Sequence, residues 1–65
     1  MRVELIGKIG RVSDEVPAGG ERRGEVMIDG QAYYALAADA DPIRKGTRVV
    51  VVEHFPPRTV VVTPY

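Results

Sequence analysis

The sequence contains no cysteine. Without cysteine, neither a disulfide framework nor a thiolate metal site can brace a chain of 65 residues. Area scaling for so small a domain means that only about 60% of the surface of the unfolded chain can be buried on folding. We therefore expect a closed β-sheet, instead of a disulfide or a metal site, to stabilise this small domain.

Excess charge of one sign and long apolar runs are also missing. Nine Lys and Arg residues balance nine Asp and Glu residues, so the formal net charge is zero, which argues against a polyanion such as nucleic acid as the main partner. The valine run 49–52 is far short of the roughly 20 residues of a membrane-spanning helix. The N-terminus shows no apolar region of a signal peptide, and we expect the chain itself to be soluble.

Few side chains carry the patterns of catalysis or metal binding. His54 is the only histidine, and a lone imidazole without clustered carboxylates does not make a metal site, so we expect it in a solvated loop. Ser13 lies in no strand-to-helix nucleophile elbow. Asp39 and Asp41 precede a proline as turn residues do. The residues therefore predict no catalytic group, no metal ligand and no cofactor.

The pair Asp29-Gly30 separates two alternating segments and predicts a β-hairpin, because both residues accept the positive φ of a two-residue turn. This turn pairs Ile28 with Gln31, and the alternation then continues along both strands. The predicted faces are Val26, Ile28, Tyr33 and Ala35 on one side and Met27, Ala32, Tyr34 and Leu36 on the other.

Turn residues divide the whole chain into five predicted strands. The strands are 4–12, 22–29, 31–37, 47–53 and 58–63, and only 37–43 has room for a short helical turn. Gly7 and Gly10 in the first strand predict the bend that lets one strand serve both sides of a small barrel. The fold class is therefore all-β, a small five-stranded OB-like β-barrel with strand order 1-2-3-5-4.

The valine-rich fourth and fifth strands leave apolar side chains on the outside of this barrel. If Arg48 faces water, Val49 and Val51 face the core, and by the same alternation Val60 and Val62 do so too. Monomeric proteins rarely leave a continuous apolar patch bare, so the outward residues are candidates for a protein-interaction surface. The alternative is that loops cover part of this face, or that a small barrel simply exposes valines. The candidates are Met27, Tyr34, Leu36, Val50, Val52 and Val61.

An ordered set of glycines, valines and prolines along nearly the whole chain resembles the C-terminal soluble domain of NfeD-like proteins. Tyr33 stands where that family often has Trp, and Val16 where Leu is common. The matching pattern is Gly7-x-x-Gly10, Pro17-x-x-Gly20, Gly24-x-Val26-x-Ile28-x-Gly30, Tyr33, Ala35, Ile43-x-x-Gly46-Thr47-x-Val49-x-Val51 and Val60-x-Val62-x-Pro64.

The resemblance implies a five-stranded OB-type barrel with no catalytic residues, carried after transmembrane helices in proteins that work with stomatin-like, prohibitin-family (SPFH) scaffolds. On this basis we expect one domain, residues 1–65, excised from a longer membrane protein. It would be a non-enzymatic interaction module whose partner is a stomatin-like scaffold, held at the membrane by segments outside this sequence and facing the cytoplasm. A second copy of the chain remains a further partner to test.

The competing hypothesis is a free-standing OB-fold binder of single-stranded nucleic acid or oligosaccharide. Barrels of this type stack bases on aromatic side chains over a basic groove. Here Tyr33 is predicted inside, and acidic residues interrupt the arginines, so no continuous positive stripe is evident. The residues concerned are Tyr33, Tyr34 and Phe55 with Arg22, Arg23 and Arg48, interleaved with Glu21, Glu25 and Glu53.

Overall fold

The computed structural model describes residues 4–19 and 22–65, and every regular element in these ranges is a β-strand. The strands are β1 (Ile9–Asp14), β2 (Gly24–Ile28), β3 (Gln31–Ala37), β4 (Arg48–Phe55) and β5 (Thr59–Pro64). The anticipated helical turn at 37–43 is absent from this described stretch, where β3 ends in a series of bends. The all-β prediction is confirmed, and the boundaries of β2 to β5 differ from the predicted ones by at most two residues.

The five strands form a closed barrel in the order β1-β2-β3-β5-β4. β3 and β5 are parallel, whereas the other four neighbouring pairs are antiparallel. Closure through the β1–β4 pair leaves no fully open edge, which is how small β-proteins avoid unpaired backbone groups. The strand order and the OB-like barrel predicted from the turn spacing are both confirmed.

The β2–β3 hairpin has the predicted register. Ile28 pairs with Gln31, and the pairing continues without a shift to Gly24 and Ala35. Asp29 and Gly30 have φ values of 51° and 80°, as both central residues of a type I′ turn require. The chemistry of two turn residues therefore sets which side chains of β2 and β3 enter the core.

The core is built almost entirely from aliphatic side chains, and the inward valines of β4 and β5 are those that alternation predicted. Tyr33 packs against this core from a half-buried position. The ladder between β4 and β5 shifts between Val51 and Glu53, which makes Val52 the extra residue of a bulge. The buried hydrophobic residues are Leu5, Val12, Val16, Val26, Ile28, Ala35, Ala37, Ile43, Val49, Val51, Val60 and Val62.

The first strand begins later than expected, at Ile9 instead of residue 4. Gly7 lies in a turn before the strand with φ +91°, so it is not part of a bend within the strand. Gly10 does lie in β1, where a Cβ would stand 2.6 Å from the carbonyl oxygen of Met27. Glycine at position 10 therefore permits β1 to approach β2 closely, and β1 pairs with both β2 and β4 as anticipated.

Residues outside the strands close the two ends of the barrel. Leu5 is buried beside the start of β1, and the amide of Gly7 donates to the carbonyl of Val51 nearby. At the opposite end, Val16 and Ile43 form an isolated bridge with two backbone hydrogen bonds of 2.9 Å. The barrel thus needs its connecting segments to complete its core.

Candidate functional site

The six candidate interaction residues all lie on the outer surface of the barrel. Met27, Tyr34 and Val52 are exposed, with relative accessibilities of 39%, 51% and 40%. Leu36, Val50 and Val61 are half-buried on the same outer side. Alternation therefore assigned the facing of each residue correctly, while their role in binding a partner stays a prediction.

Four of these residues form a connected surface across three neighbouring strands, and we call Leu36, Val50, Val52 and Val61 the apolar wall. Leu36 of β3 pairs with Val61 of β5, and Val61 in turn pairs with Glu53, next to Val52 in β4. The bulge at Val52 places an additional valine in this region. Ile9 of β1, which is 45% exposed, pairs with Val50 and extends the wall onto a fourth strand.

The other two candidates lie at the margin of the apolar wall. Tyr34 is on β3, two residues before Leu36, and the guanidinium carbon of Arg23 lies 4.5 Å from the centre of its ring. Met27 is farther away on β2, where it pairs with Ala32 on one side and Arg11 on the other. The structure therefore groups four of the six residues, places Tyr34 beside them and leaves Met27 apart on β2.

His54 is not in a solvated loop, and that expectation is wrong. It lies in β4 opposite the buried Val60, and its Nε2 atom is buried without a hydrogen-bond partner among the described residues. The cause is the bulge. Simple alternation from Val51 would point His54 outward, but the extra residue Val52 shifts the alternation by one and points His54 inward. A bulge depends on the pairing of two strands, so the sequence of β4 alone does not reveal it.

The two tyrosines at the start of β3 each have an arginine near the ring. Besides Arg23 over Tyr34, the guanidinium carbon of Arg58 lies 5.9 Å from the centre of the Tyr33 ring. The Nη1 atom of Arg58 donates a 2.8 Å hydrogen bond to the carbonyl oxygen of Ala32. Tyr33, Tyr34 and Arg58 line an open cleft of about 210 Å³ together with Glu25 and Ala32, and Arg23 lies beside it over the Tyr34 ring.

The predicted set for nucleic-acid stacking is only partly brought together. Arg23 reaches Tyr34 as considered, but Arg48 lies over Tyr65 at the opposite end of the barrel. Arg58, which belongs to the β4–β5 turn, was missed because only the barrel topology brings that turn beside β3. The exposure of Ile9 was also missed, because the sequence pattern assigned no facing to the residues of the first strand.

Charged side chains elsewhere form ordinary surface contacts. Lys8 Nζ lies 2.9 Å from Asp29 Oδ2 at the hairpin turn, and the hydrogen bond to this carboxylate raises the pKa of Lys8. Both side chains are largely exposed, so solvent screens the pair. In residues 4–19 and 22–65, no three His, Asp or Glu side chains gather as metal ligands, and no helix is long and apolar enough to span a membrane.

Comparison with known families gives a match over most of the barrel. The family model for the NfeD C-terminal domain matches residues 9–63, from the first residue of β1 to the penultimate residue of β5. Among curated proteins, none matches this sequence.

Three solved structures are similar over nearly the whole chain. The C-terminal domain of stomatin operon partner protein 1510-C from Pyrococcus horikoshii is 28% identical, with a TM-score of 0.81 over 94% of this chain and 88% of that one. The soluble domain of the NfeD protein YuaF from Bacillus subtilis is 34% identical, with a TM-score of 0.80 over 94% and 74% of the respective chains.

The third is the soluble domain of a membrane protein implicated in regulation of membrane protease activity, from Corynebacterium glutamicum. It is 27% identical, with a TM-score of 0.77 over 89% of this chain and 87% of that one.

Proposed function

Because the chain belongs to the NfeD C-terminal domain family, we propose that its barrel is a non-enzymatic docking module of a membrane protein, and that its partner is a stomatin-like scaffold of the SPFH class. The domain would comprise residues 1–65 of a longer polypeptide and work on the cytoplasmic side of the membrane. Its mechanism is binding through the apolar wall.

The observation that carries this proposal is the apolar wall itself. It spans β3, β5 and β4, with Ile9 continuing it onto β1. Contiguous apolar surface on a small barrel favours burial against another protein, and burial of such surface is the main source of association free energy. The Pyrococcus relative supports the choice of partner, because it is named a stomatin operon partner protein.

The Corynebacterium relative supports the membrane part of the proposal, since it is the soluble domain of a membrane protein. The described residues contribute no helix that could anchor the chain, so the proposal assigns the attachment to segments outside this sequence.

The decisive experiment places charge on the wall without changing the core. Val50 and Val61 point outward and are half-buried, so the double change Val50→Lys and Val61→Lys adds two ammonium groups whose aliphatic stems can lie along the surface. We expect the parent protein with these changes to co-purify at least tenfold less of the stomatin-family protein of the same cell, a loss of about 1.4 kcal/mol.

The matched control is Ala18→Lys together with Ala40→Lys, two exposed positions in the β1–β2 and β3–β4 connections. These changes add the same charge away from the apolar wall and should leave co-purification unchanged. Thermal unfolding of each isolated domain would show that the barrel remains folded. A folded Val50/Val61 variant that retains the scaffold protein would refute docking through the wall.

A further inference from the structure

The cleft beside Tyr33 and Tyr34 is a second candidate site, next to the apolar wall but lined by other residues. It exists because β5 pairs with β3 only from Tyr34 onward, which leaves the first part of β3 without a strand on that side. The turn between β4 and β5 crosses this gap, and Arg58 bonds the carbonyl of Ala32 from it. In barrels of this architecture, the surface of strands 2 and 3 next to the 1–2 and 4–5 loops is where ligands bind.

One guanidinium group, that of Arg58, lines the cleft, and a second, that of Arg23, lies beside it over Tyr34. The guanidinium carbon of Arg23 lies 4.5 Å from the centre of the Tyr34 ring. Arg58 is held by its hydrogen bond to the carbonyl oxygen of Ala32, which uses one of the five N–H donors of its guanidinium group. In the described part of the chain, the only ion pair joins Lys8 and Asp29, so neither arginine contacts a carboxylate there. A guanidinium with its orientation already set is suited to bidentate binding of a carboxylate.

Glu25 limits the charge that this cleft can accept. It lines the cleft and accepts a 2.8 Å hydrogen bond from the hydroxyl of Ser13. One carboxylate beside two guanidinium groups leaves a single net positive charge. A polyanionic strand would meet Glu25 at close range, whereas one carboxylate is matched in charge.

An apolar platform adjoins the charged groups. Tyr34 pairs with Thr59, and Thr59 pairs with Phe55, so these three side chains form one row on the outer face. Tyr34 and Phe55 are 51% and 52% exposed, on either side of the short threonine. Their strands are about 10 Å apart, two inter-strand spacings, which leaves room for one apolar side chain between the rings.

We propose that this cleft binds a peptide that carries one carboxylate next to an apolar side chain. The carboxylate binds Arg58, with the positive charge of Arg23 beside the cleft, and the apolar side chain lies on Thr59 between Tyr34 and Phe55. This inference goes beyond the docking function, because it concerns residues outside the apolar wall and does not depend on the scaffold being the partner.

The test is an NMR titration of the isotope-labelled 65-residue chain with short peptides. The first probe is acetyl-Leu-Glu-Leu-amide, and its uncharged counterpart has Gln in place of Glu. We expect saturable shifts of the backbone amides of residues 32–34 and 58–59 with the Glu peptide, and at least tenfold weaker binding of the Gln peptide. Acetyl-Leu-Leu with a free carboxyl terminus shows whether a chain end serves as well as an acidic side chain.

Variants of Arg58 test whether this residue binds the carboxylate of the peptide. Arg58→Gln should weaken the Glu peptide at least tenfold, whereas Arg58→Lys keeps the charge but loses the planar fork and should give an intermediate loss. Arg44→Gln is the matched control, because Arg44 is exposed in the connection between β3 and β4. The Val50/Val61 double variant should bind the peptide as the unmodified chain does, which separates this test from that of the apolar wall.

Three outcomes would overturn the proposal. The first is equal binding of the Glu and Gln peptides. The second is binding of the Glu peptide that Arg58→Gln leaves unchanged. The third is a hexathymidylate that shifts the same amides at lower concentration than the Glu peptide, which would make the cleft a single-strand nucleic-acid site instead. Saturable, carboxylate-dependent binding that requires Arg58 would support it, whichever carboxylate source is preferred.

Discussion

At the residue scale, Gly24 lies where the packed backbone leaves no space for a side chain. This residue begins β2, and it is buried against the segment that follows β1. A Cβ at position 24 would stand 2.7 Å from both the carbonyl oxygen of Asp14 and the Cα of Val16. All of these atoms are backbone, so no side chain can rotate away to make room. The glycine pattern of the sequence marks this position, but only the packed structure explains it.

We predict that Gly24→Ala lowers the free energy of unfolding by about 1–3 kcal/mol, the usual cost of forcing an extra group into a packed region. Urea unfolding followed by circular dichroism measures this loss. The control is Arg22→Ala, an exposed change two residues earlier, for which we expect a change within about 0.5 kcal/mol. Equal stability of the Gly24→Ala variant and the unmodified chain would show that the close approach is not tight in solution.

At the element scale, β4 shows how one extra residue changes the facing of a strand. Val49 and Val51 point inward as simple alternation predicts, but the bulge at Val52 then shifts the phase. Glu53 consequently pairs with the outward Val61, and His54 with the inward Val60. The same bulge contributes Val52 to the apolar wall and turns His54 toward the core, so a single irregularity affects both the candidate site and the interior.

We predict that deletion of one valine from the run 49–52 yields a folded barrel with a regular β4–β5 ladder. All four deletions produce the same sequence, and the remaining three valines can keep every inward pairing once the bulge is gone. We expect a loss of no more than about 1 kcal/mol, the average effect of a single change. Cross-strand nuclear Overhauser effects between Glu53 and Val61 would show that their pairing persists.

The matched control removes one valine from the run 60–62 of β5, which contains no extra residue. This deletion reverses the facing of the residues on one side of it, and we expect it to cost more than about 3 kcal/mol, as severe packing changes do. Similar losses for the two deletions would mean that the bulge is as necessary to the barrel as the regular pairs.

At the scale of the whole molecule, the core of the closed barrel would be open to solvent at both ends unless residues outside the strands packed over it. The free energy of unfolding of a 65-residue domain is about 3–10 kcal/mol. Each residue that closes a barrel end therefore contributes a large share of that free energy. Leu5 lies outside the strands and outside the residues that the NfeD C-terminal domain model matches, yet it is almost fully buried. The predicted first strand, 4–12, included Leu5 as a strand residue and gave no indication that its side chain closes a barrel end.

We predict that Leu5→Ala destabilises the barrel by about 2–5 kcal/mol, because it removes a buried side chain and leaves a cavity. The adjacent Ile6 is 51% exposed, so Ile6→Ala serves as the control and should change stability by less than about 1 kcal/mol. Thermal and urea unfolding provide the comparison. An equal effect of the two changes would indicate that the barrel end remains open to solvent in solution.

The sequence alone determined those features that depend on local chemistry. The Asp29-Gly30 turn set the register of β2 and β3, and β-branched valines with intervening turns set the number of strands and the facing of their side chains. The strand order was expected from the OB-like barrel that such a pattern suggests. What the tertiary structure decided involves groups distant in sequence. Leu5 as an end cover, the bulge that turns His54 inward, and the approach of Arg58 to Tyr33 each require the closed barrel, because only closure brings loops and strand ends together. Local patterns predict which face a side chain takes, whereas the contacts across loops and ends arise only when the sheet closes.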